Sequence, residues 1–167
     1  NNGTYGIRTS LQGPGSACSL SIENCIIYGN QWGQVLVEES TVDVRFSDIE
    51  GGAEGVELWL GSLNWGLGNI DVDPCFVMLG CWDTNGTLGD IRDDFWVPGD
   101  YHLRSEGWYW KTDANGWDWD EVTSRCIDAG NPGASLGDEA MTLDVDPLNR
   151  LGQNLRINMG AYGGTGE

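Results

Sequence analysis

Apolar and polar residues alternate in two stretches of the chain that repeat one pattern at a spacing of 22 residues. Leu20 and Ile22 in the first stretch, 20–30, correspond to Val42 and Val44 in the second, 42–52. In both stretches the alternation is followed by an isoleucine and then a glycine, which is typical of a β-strand that ends in a turn. A fixed period of this length, combined with strand patterning, indicates stacked β-repeats.

A second alternating segment lies between these copies. Val35 and Val37 match Val56 and Leu58 at a spacing of 21, and residues 5–9 fit the same strand one repeat earlier. Stacked repeats behave in this way, because turns absorb insertions while the strands keep their alignment. The pattern predicts an all-β fold with the rungs of a parallel β-helix over residues 1–60, and a β-sandwich of short strands is the alternative.

The periodicity ends after residue 60. We expect a glycine-rich loop at 61–68, a short strand at 69–77, an acidic loop at 80–94 and a strand at 99–104. The alternating segments 108–110 and 117–119 flank Asn115-Gly116, a dipeptide that strongly favours a hairpin, and their tryptophans are expected to stack across the strands. The sequence therefore predicts a long, irregular capping region, 61–167, packed on the rungs as one structural unit.

The chain is strongly acidic. It has 26 Asp and Glu residues against 8 Lys and Arg residues, which gives a net charge of −18. This charge repels nucleic acid and anionic membrane surfaces, so neither is expected as a partner. No apolar run approaches the roughly 20 residues that a membrane helix needs. The chain begins at Asn1 with neither a methionine nor a signal peptide, so we expect a mature or processed product.

Cysteine and histidine usage argues against a zinc site and for export. The chain has one histidine, His102, and five cysteines without a C-x-x-C pair: Cys18, Cys25, Cys75, Cys81 and Cys126. One or two disulfides in a protein outside the cytoplasm fit this pattern best. His102 alternates with Tyr101 and Leu103 and lacks an accompanying nucleophile pattern, so we expect it to be structural.

Two acidic segments are candidate calcium sites, since calcium prefers six to eight oxygen ligands around a glycine-containing turn. The stronger candidate comprises Asp83, Asn85, Asp90 and Asp94; the weaker comprises Asp113, Asn115 and Asp118, with Asp120 adjacent. The alternatives are a plain acidic loop for the first and a hairpin turn for the second. Asn2 and Asn85 begin glycosylation sequons, and Asn85 does not comfortably serve both calcium and a glycan.

Catalytic and aromatic residues give weaker signals. The predicted strands offer Glu23, Asp43, Arg45 and Glu57, without a cluster of three acids at the repeat spacing, so catalysis is not favoured. Nine tryptophans are present. We expect most of them in the core, although those in loops, Trp65, Trp82 and Trp96, have the alternative of stacking on sugars.

Most of residues 16–164 resembles the C-terminal part of secreted right-handed parallel β-helix repeat proteins of planctomycete-type bacteria. The matching blocks, in the order of that family, are FSDIEGG at 46–52, GNIDVDPCF at 68–76, DFWVPGDYHL at 94–103, CIDAGNP at 126–132 and RINMGAYGG at 156–164. The resemblance implies a right-handed parallel β-helix whose usual N-terminal rungs are missing, so we expect a longer parent protein or a partner. It also implies a Cys75–Cys126 disulfide, with Cys75–Cys81 as the rival pairing.

These observations favour a non-catalytic structural, assembly or adhesion module at the outer surface of a bacterial cell. The open edge of the first strands is expected to pair head-to-tail with residues 157–162 of a second copy, which would build a fibre. The alternatives are a fragment of a polysaccharide lyase or hydrolase and a β-helix that binds a glycan without cleaving it.

Overall fold

The computed structural model describes residues 4–10, 18–111, 115–139 and 155–164, which form an all-β fold. The first eight strands are β1 Tyr5–Thr9, β2 Ser19–Glu23, β3 Ile26–Ile27, β4 Gly33–Glu38, β5 Thr41–Arg45, β6 Asp48–Ile49, β7 Val56–Trp59 and β8 Ser62–Trp65. A 3₁₀ turn, Gly52–Gly55, precedes β7. The later strands are β9 Phe76–Met78, β10 Cys81–Asp83, β11 Phe95–Val97, β12 Asp100–Leu103, β13 Gly107–Lys111 and β14 Gly116–Asp120. No helix in this part of the chain is long and apolar enough to cross a membrane.

The first eight strands form three parallel sheets that the chain visits in the same order. The sheets are β1-β4-β7, β2-β5-β8 and β3-β6, and an isolated parallel bridge joins Asp48 to Ile70 on the third. Leu20 pairs with Val42, and Val42 pairs with Leu63. Val35 pairs with Val56. The residue pairs predicted from the 22- and 21-residue spacings are confirmed, as is the early strand at 5–9.

Parallel pairing continues beyond residue 60. The loop predicted at 61–68 is wrong for Ser62–Trp65, which is β8 and pairs with β5. The acidic segment at 80–94 also contains a strand, since β10 pairs antiparallel with β11. Both strands are short and exposed on most residues, so their own apolar pattern is weak and their partner strands define them.

Aliphatic side chains fill the space between the three parallel sheets. Eight of them are buried in one cluster: Ile22, Ile27, Val35, Val37, Val42, Val44, Ile49 and Val56. Neighbouring strands lie about 4.8 Å apart, so β-branched side chains stack well in inward rows whereas indole rings do not. The predicted tryptophan core is therefore wrong for the exposed Trp32, Trp59, Trp65, Trp82 and Trp119.

The last described segments return to the third sheet. Ser124 Oγ donates a hydrogen bond to the carbonyl of Pro74 at 2.7 Å, and the Met159 N–H donates to the carbonyl of Cys126 at 3.0 Å. The Gly160 N–H donates to the carbonyl of Asn24 at 2.8 Å. The segment 157–162, expected to reach a second copy, is thus bonded to its own chain.

The predicted hairpin is confirmed. β13 and β14 are antiparallel, with Trp108 opposite Trp119 and Trp110 opposite Trp117. The side chains of residues 108–111 and 117 lie outside the described part of the structure, and so does the stacking predicted for them.

Candidate functional site: an aromatic cleft

A cleft of about 670 Å³ opens where the turn after β3 meets the four strands β9 to β12. Its described lining consists of aromatic rings, two glycines, one leucine and one asparagine: Tyr28, Gly29, Asn30, Phe76, Leu79, Gly80, Trp82, Trp96 and Tyr101. The volume lies in the range of small-molecule sites. The cleft therefore gathers residues that are more than 70 positions apart in the sequence.

Two glycines allow the strand pairs to approach each other at the cleft. A Cβ atom on Gly80 would overlap the ring of Trp96, and one on Gly99 would overlap the backbone nitrogen of Gly80. Residues 80 and 99 connect β9 to β10 and β11 to β12. A larger side chain at either position would separate the strands and displace the Trp96 ring.

The rings of the cleft are held in two edge-to-face pairs. Trp82 and Trp96 are register partners on β10 and β11, with centroids 5.7 Å apart and planes at 71°. Phe76 and Tyr101, on β9 and β12, have centroids 5.3 Å apart and planes at 85°. Edge-to-face packing favours rings in fixed orientations. Since the Trp82 side chain is still 59% exposed, it can accept a ligand on its open face.

Glu50 organises the polar side of the cleft. Its Oε2 accepts the Gly29 N–H at 2.8 Å and the Gln34 side-chain amide at 2.7 Å. Gln34 in turn accepts a hydrogen bond from Asn30 Nδ2 at 2.8 Å. Burial raises the pKa of the Tyr28 phenol, and the nearby carboxylates of Asp73 and Glu50 raise it further. The Tyr28 hydroxyl thus stays protonated and can donate a hydrogen bond to a ligand.

His102 lies beside the cleft strands and is held by two neighbours. Its Nδ1 is 2.6 Å from Asp100 Oδ1, and its ring stacks on Tyr162 with centroids 3.9 Å apart. Burial acts to raise the pKa of Asp100, but hydrogen bonds from the His102 ring and backbone N–H outweigh it and lower that pKa. The arrangement attaches β12 to the C-terminal segment, and the structural role of His102 stays a prediction.

The stronger calcium candidate is not assembled as a cluster. Asp83 Oδ1 accepts the Asn85 N–H at 2.8 Å, and Asp90 pairs with Arg92 at 2.9 Å. Within the described ranges, no three Asp, Glu, His or Cys side chains converge on a common point. Binding by Asp83, Asn85, Asp90 and Asp94 stays a prediction, and it requires the loop between β10 and β11 to rearrange.

The weaker calcium candidate lies partly outside the described residues, because Asp113 is not among them. Asn115 has a φ of 47°, and the N–H of Trp119 donates to Asp118 Oδ1. Asp120 is held by Arg104 through two hydrogen bonds of 2.7 Å. The Arg104 side chain lowers the pKa of Asp120. Asp120 is thus engaged in an ion pair.

All five cysteines are described, and all are free thiols. The buried Cys126 donates from Sγ to Asp48 Oδ2 at 3.2 Å. Burial, followed by the Asp48 carboxylate, raises the pKa of Cys126 to about 12, and Cys75 adds to the same shift. Cys75 is half-buried, while Cys81 is exposed on β10. The disulfide between Cys75 and Cys126 stays a prediction.

The acidic strand residues considered as catalytic candidates lie outside the lining of the aromatic cleft and accept hydrogen bonds from other side chains. Asp43 accepts from Asn64 at 3.0 Å, and Glu23 accepts from Asn131 at 2.9 Å. Glu57 accepts from the Tyr5 hydroxyl at 2.6 Å. A second groove of about 580 Å³, next to β5 and β8, contains both Asp43 and Arg45.

Of the two predicted glycosylation sequons, Asn2 lies outside the described residues, and Asn85 is exposed in the turn after β10.

No family model, curated protein or solved structure matches this chain.

From the sequence, Trp82 and Trp96 were candidates for stacking on a ligand, whereas Tyr28, Phe76 and Tyr101 were not identified as site residues. Each of these three residues lies in or beside a strand motif, where an aromatic residue is ordinary. The signal that could have found them is the conjunction of three aromatic strand motifs within 76–101.

Proposed function

We propose that this chain is a non-catalytic adhesion module of the cell exterior, built on a right-handed parallel β-helix, that binds a polysaccharide in the aromatic cleft. The observation that carries the proposal is the paired Trp82 and Trp96 at the mouth of a cleft lined by five aromatic rings. The right-handed coil is supported by the repeated visit to three parallel sheets, because parallel crossovers are right-handed in about 98% of known cases.

The chemistry of the cleft suits a sugar. A pyranose ring presents an apolar C–H face that packs on an indole ring, and hydroxyl groups at its edge that need hydrogen-bond partners. The open Trp82 ring supplies the first contact. Tyr28, Asn30 and Tyr101 supply polar groups at the side of the cleft. An apolar floor with a few convergent polar groups is the usual design of a binding site.

Affinity gel electrophoresis tests the proposal. Native gels that contain hydroxyethyl cellulose, galactomannan or arabinoxylan should retard the protein on at least one of these neutral polysaccharides. Trp82→Ala should abolish most of the retardation, because it removes the open indole face and the edge-to-face partner of Trp96. Trp59→Ala is the matched control, since Trp59 is 64% exposed and lies outside the cleft lining. Equal retardation of both variants would refute the assignment of the site.

The lyase or hydrolase alternative is tested on the same polysaccharides. The proposal expects no new reducing ends and no increase in absorbance from unsaturated products after prolonged incubation. Release of either product, lost in Asp43→Asn, would transfer the function to the groove next to β5 and β8.

Self-association is a second candidate function, and the exposed end of the parallel sheets favours it. Inward-facing Val37 and Val44 are fully buried, whereas their partners in the next strands, Leu58 and Trp65, are 50% and 36% exposed. Leu60 and Leu67, which follow these strands in the sequence, are also exposed. We call these four residues the end face. A second copy that packs here would bury it, as a closed dimer if both copies use the end face or as a filament if the contact is head-to-tail.

A further inference from the structure

The floor of the aromatic cleft and its surroundings differ sharply in charge. Of the described side chains that line the cleft, none is charged. Two carboxylates contact the backbone at or next to lining residues. Glu50 binds the backbone of Gly29, and Asp73 binds the N–H of Cys75, the residue that precedes Phe76.

These carboxylates are fixed in place by the backbone. Asp71 Oδ1 accepts the Gly51 N–H at 3.0 Å, and Asp73 Oδ1 accepts the Cys75 N–H at 2.8 Å. They therefore cannot turn away freely when a ligand arrives. The raised pKa of Tyr28 reports their field, because Asp73, Glu50, Asp48 and Asp71 all contribute to it after the larger effect of burial.

Two further acids are sequence neighbours of lining residues: Asp83 follows Trp82 on β10, and Asp100 precedes Tyr101 on β12. Because neighbouring side chains in a strand point to opposite faces, these acids add to the charge around the cleft without lining it. The arginines on nearby segments are already paired, since Arg92 contacts Asp90 and Arg104 contacts Asp120. The net charge of −18 adds a repulsive field over the whole surface.

We propose that the cleft takes uncharged polysaccharides and rejects glycans that carry carboxylate or sulfate groups. The inference rests on the proposed function and adds the class of ligand to it. A like charge brought next to these backbone-held carboxylates meets repulsion, which is strongest at low salt because Asp71 and Asp73 are exposed and are screened by ions. A neutral pyranose meets none of this repulsion and keeps its contact with the Trp82 and Trp96 rings.

Matched polysaccharide pairs test the inference on the unmodified protein. The probes are hydroxyethyl cellulose, galactomannan and arabinoxylan, each beside its carboxymethylated form, in affinity gels at low salt. The inference predicts that a carboxymethylated form binds at least about tenfold more weakly than its neutral partner. Retardation by none of the six would overturn the proposed function itself. Equal retardation by both members of a pair would overturn the inference and leave the proposed function standing.

Charge variants identify the cause of the rejection. The double variant Asp71→Asn and Asp73→Asn keeps an acceptor oxygen for both backbone N–H groups while it removes two charges. Its affinity for the carboxymethylated form should rise severalfold, with binding of the neutral form unchanged. Asp43→Asn is the control, because it deletes a charge on the β2-β5-β8 sheet and not beside the cleft. It should change the affinity for neither the carboxymethylated nor the neutral form.

A salt titration of the unmodified protein provides the same test if the double variant does not fold. Raising NaCl from 20 to about 500 mM shortens the Debye length several-fold and should narrow the difference between paired probes. A difference that does not change with salt would show that shape, and not charge, excludes the carboxymethyl group, and would overturn the inference.

Discussion

Asp48 is the fully buried acid at the junction between the parallel sheets and the C-terminal segments. Its Oδ1 accepts the Val72 N–H at 3.1 Å, and its Oδ2 accepts the Cys126 thiol at 3.2 Å. Burial raises the pKa of Asp48 above its ordinary value of 3.8, and these two hydrogen bonds only partly oppose the shift. The charged form is therefore less favourable in the folded protein than in the unfolded chain.

Two substitutions separate the hydrogen bonds of Asp48 from its charge. Asp48→Ala leaves the partly buried Val72 N–H without this acceptor, which should lower the free energy of unfolding by about 1–3 kcal/mol. Asp48→Asn keeps an acceptor oxygen for the Val72 N–H and removes the buried charge, while its amide nitrogen takes the place of the oxygen that accepts from the Cys126 thiol. At pH 7 the Asn variant should therefore be as stable as the original protein or more stable, and more stable than the Ala variant by roughly 1–3 kcal/mol.

The contribution of Asp48 to the free energy of unfolding should fall as the pH rises. Because the folded pKa of Asp48 is raised, its stabilising contribution is fully present below 3.8 and is lost as pH rises through the folded pKa. The advantage of Asp48→Asn should thus be largest at pH 7 and shrink towards pH 3.5. Urea unfolding at both pH values, with slopes compared among the three proteins, measures it. If Asp48→Asn lowered the free energy of unfolding at pH 7 as much as Asp48→Ala does, the charge itself would be stabilising and the reasoning would be refuted.

Three further predictions concern calcium, the cysteines and the end face. If Asp83 and Asp90 bind calcium, the ion should raise the melting temperature and EDTA should lower it, whereas an unchanged curve with no metal in elemental analysis would exclude the site. Oxidation should link Cys75 to Cys126 and protect against unfolding, because closing a loop of about 50 residues contributes a few kcal/mol; a non-reducing peptide map that recovers Cys75 with another cysteine would contradict this pairing. Replacing Leu58 with Gln should reduce the association measured by light scattering at high concentration, and a monomer at every concentration before substitution would exclude this contact.

The parallel pairing could be predicted from the sequence because one requirement repeats in every strand. Side chains such as Val42 and Val44 must point inward at every second position and stack on their counterparts one repeat away. The strand at Ser62–Trp65 was missed because glycines flank it and its alternation is short, with only Leu63 and Trp65 on the face that continues the inward rows. Its position is fixed by hydrogen bonds to β5, which local pattern does not report.

The aromatic cleft could not be predicted as a site, for a related reason. Its rings come from the turn at Tyr28 and from two antiparallel strand pairs, and their meeting depends on long-range packing. Composition indicated many tryptophans but not their location. The interior of stacked strands accommodates branched aliphatic residues, so indoles such as Trp82 remain on the outside, where a ligand can reach them.

The most direct test of carbohydrate binding in the cleft is a titration followed through the tryptophan indole N–H signals in the NMR spectrum. The titrant is a neutral hexasaccharide from the polysaccharide that retards the protein in affinity gels. If a sugar binds in the cleft, the signals of Trp82 and Trp96 should shift together and saturate with one dissociation constant, while those of Trp59 and Trp119 stay in place. Shifts at Trp59 or Trp65 without any at Trp82 and Trp96 would contradict it.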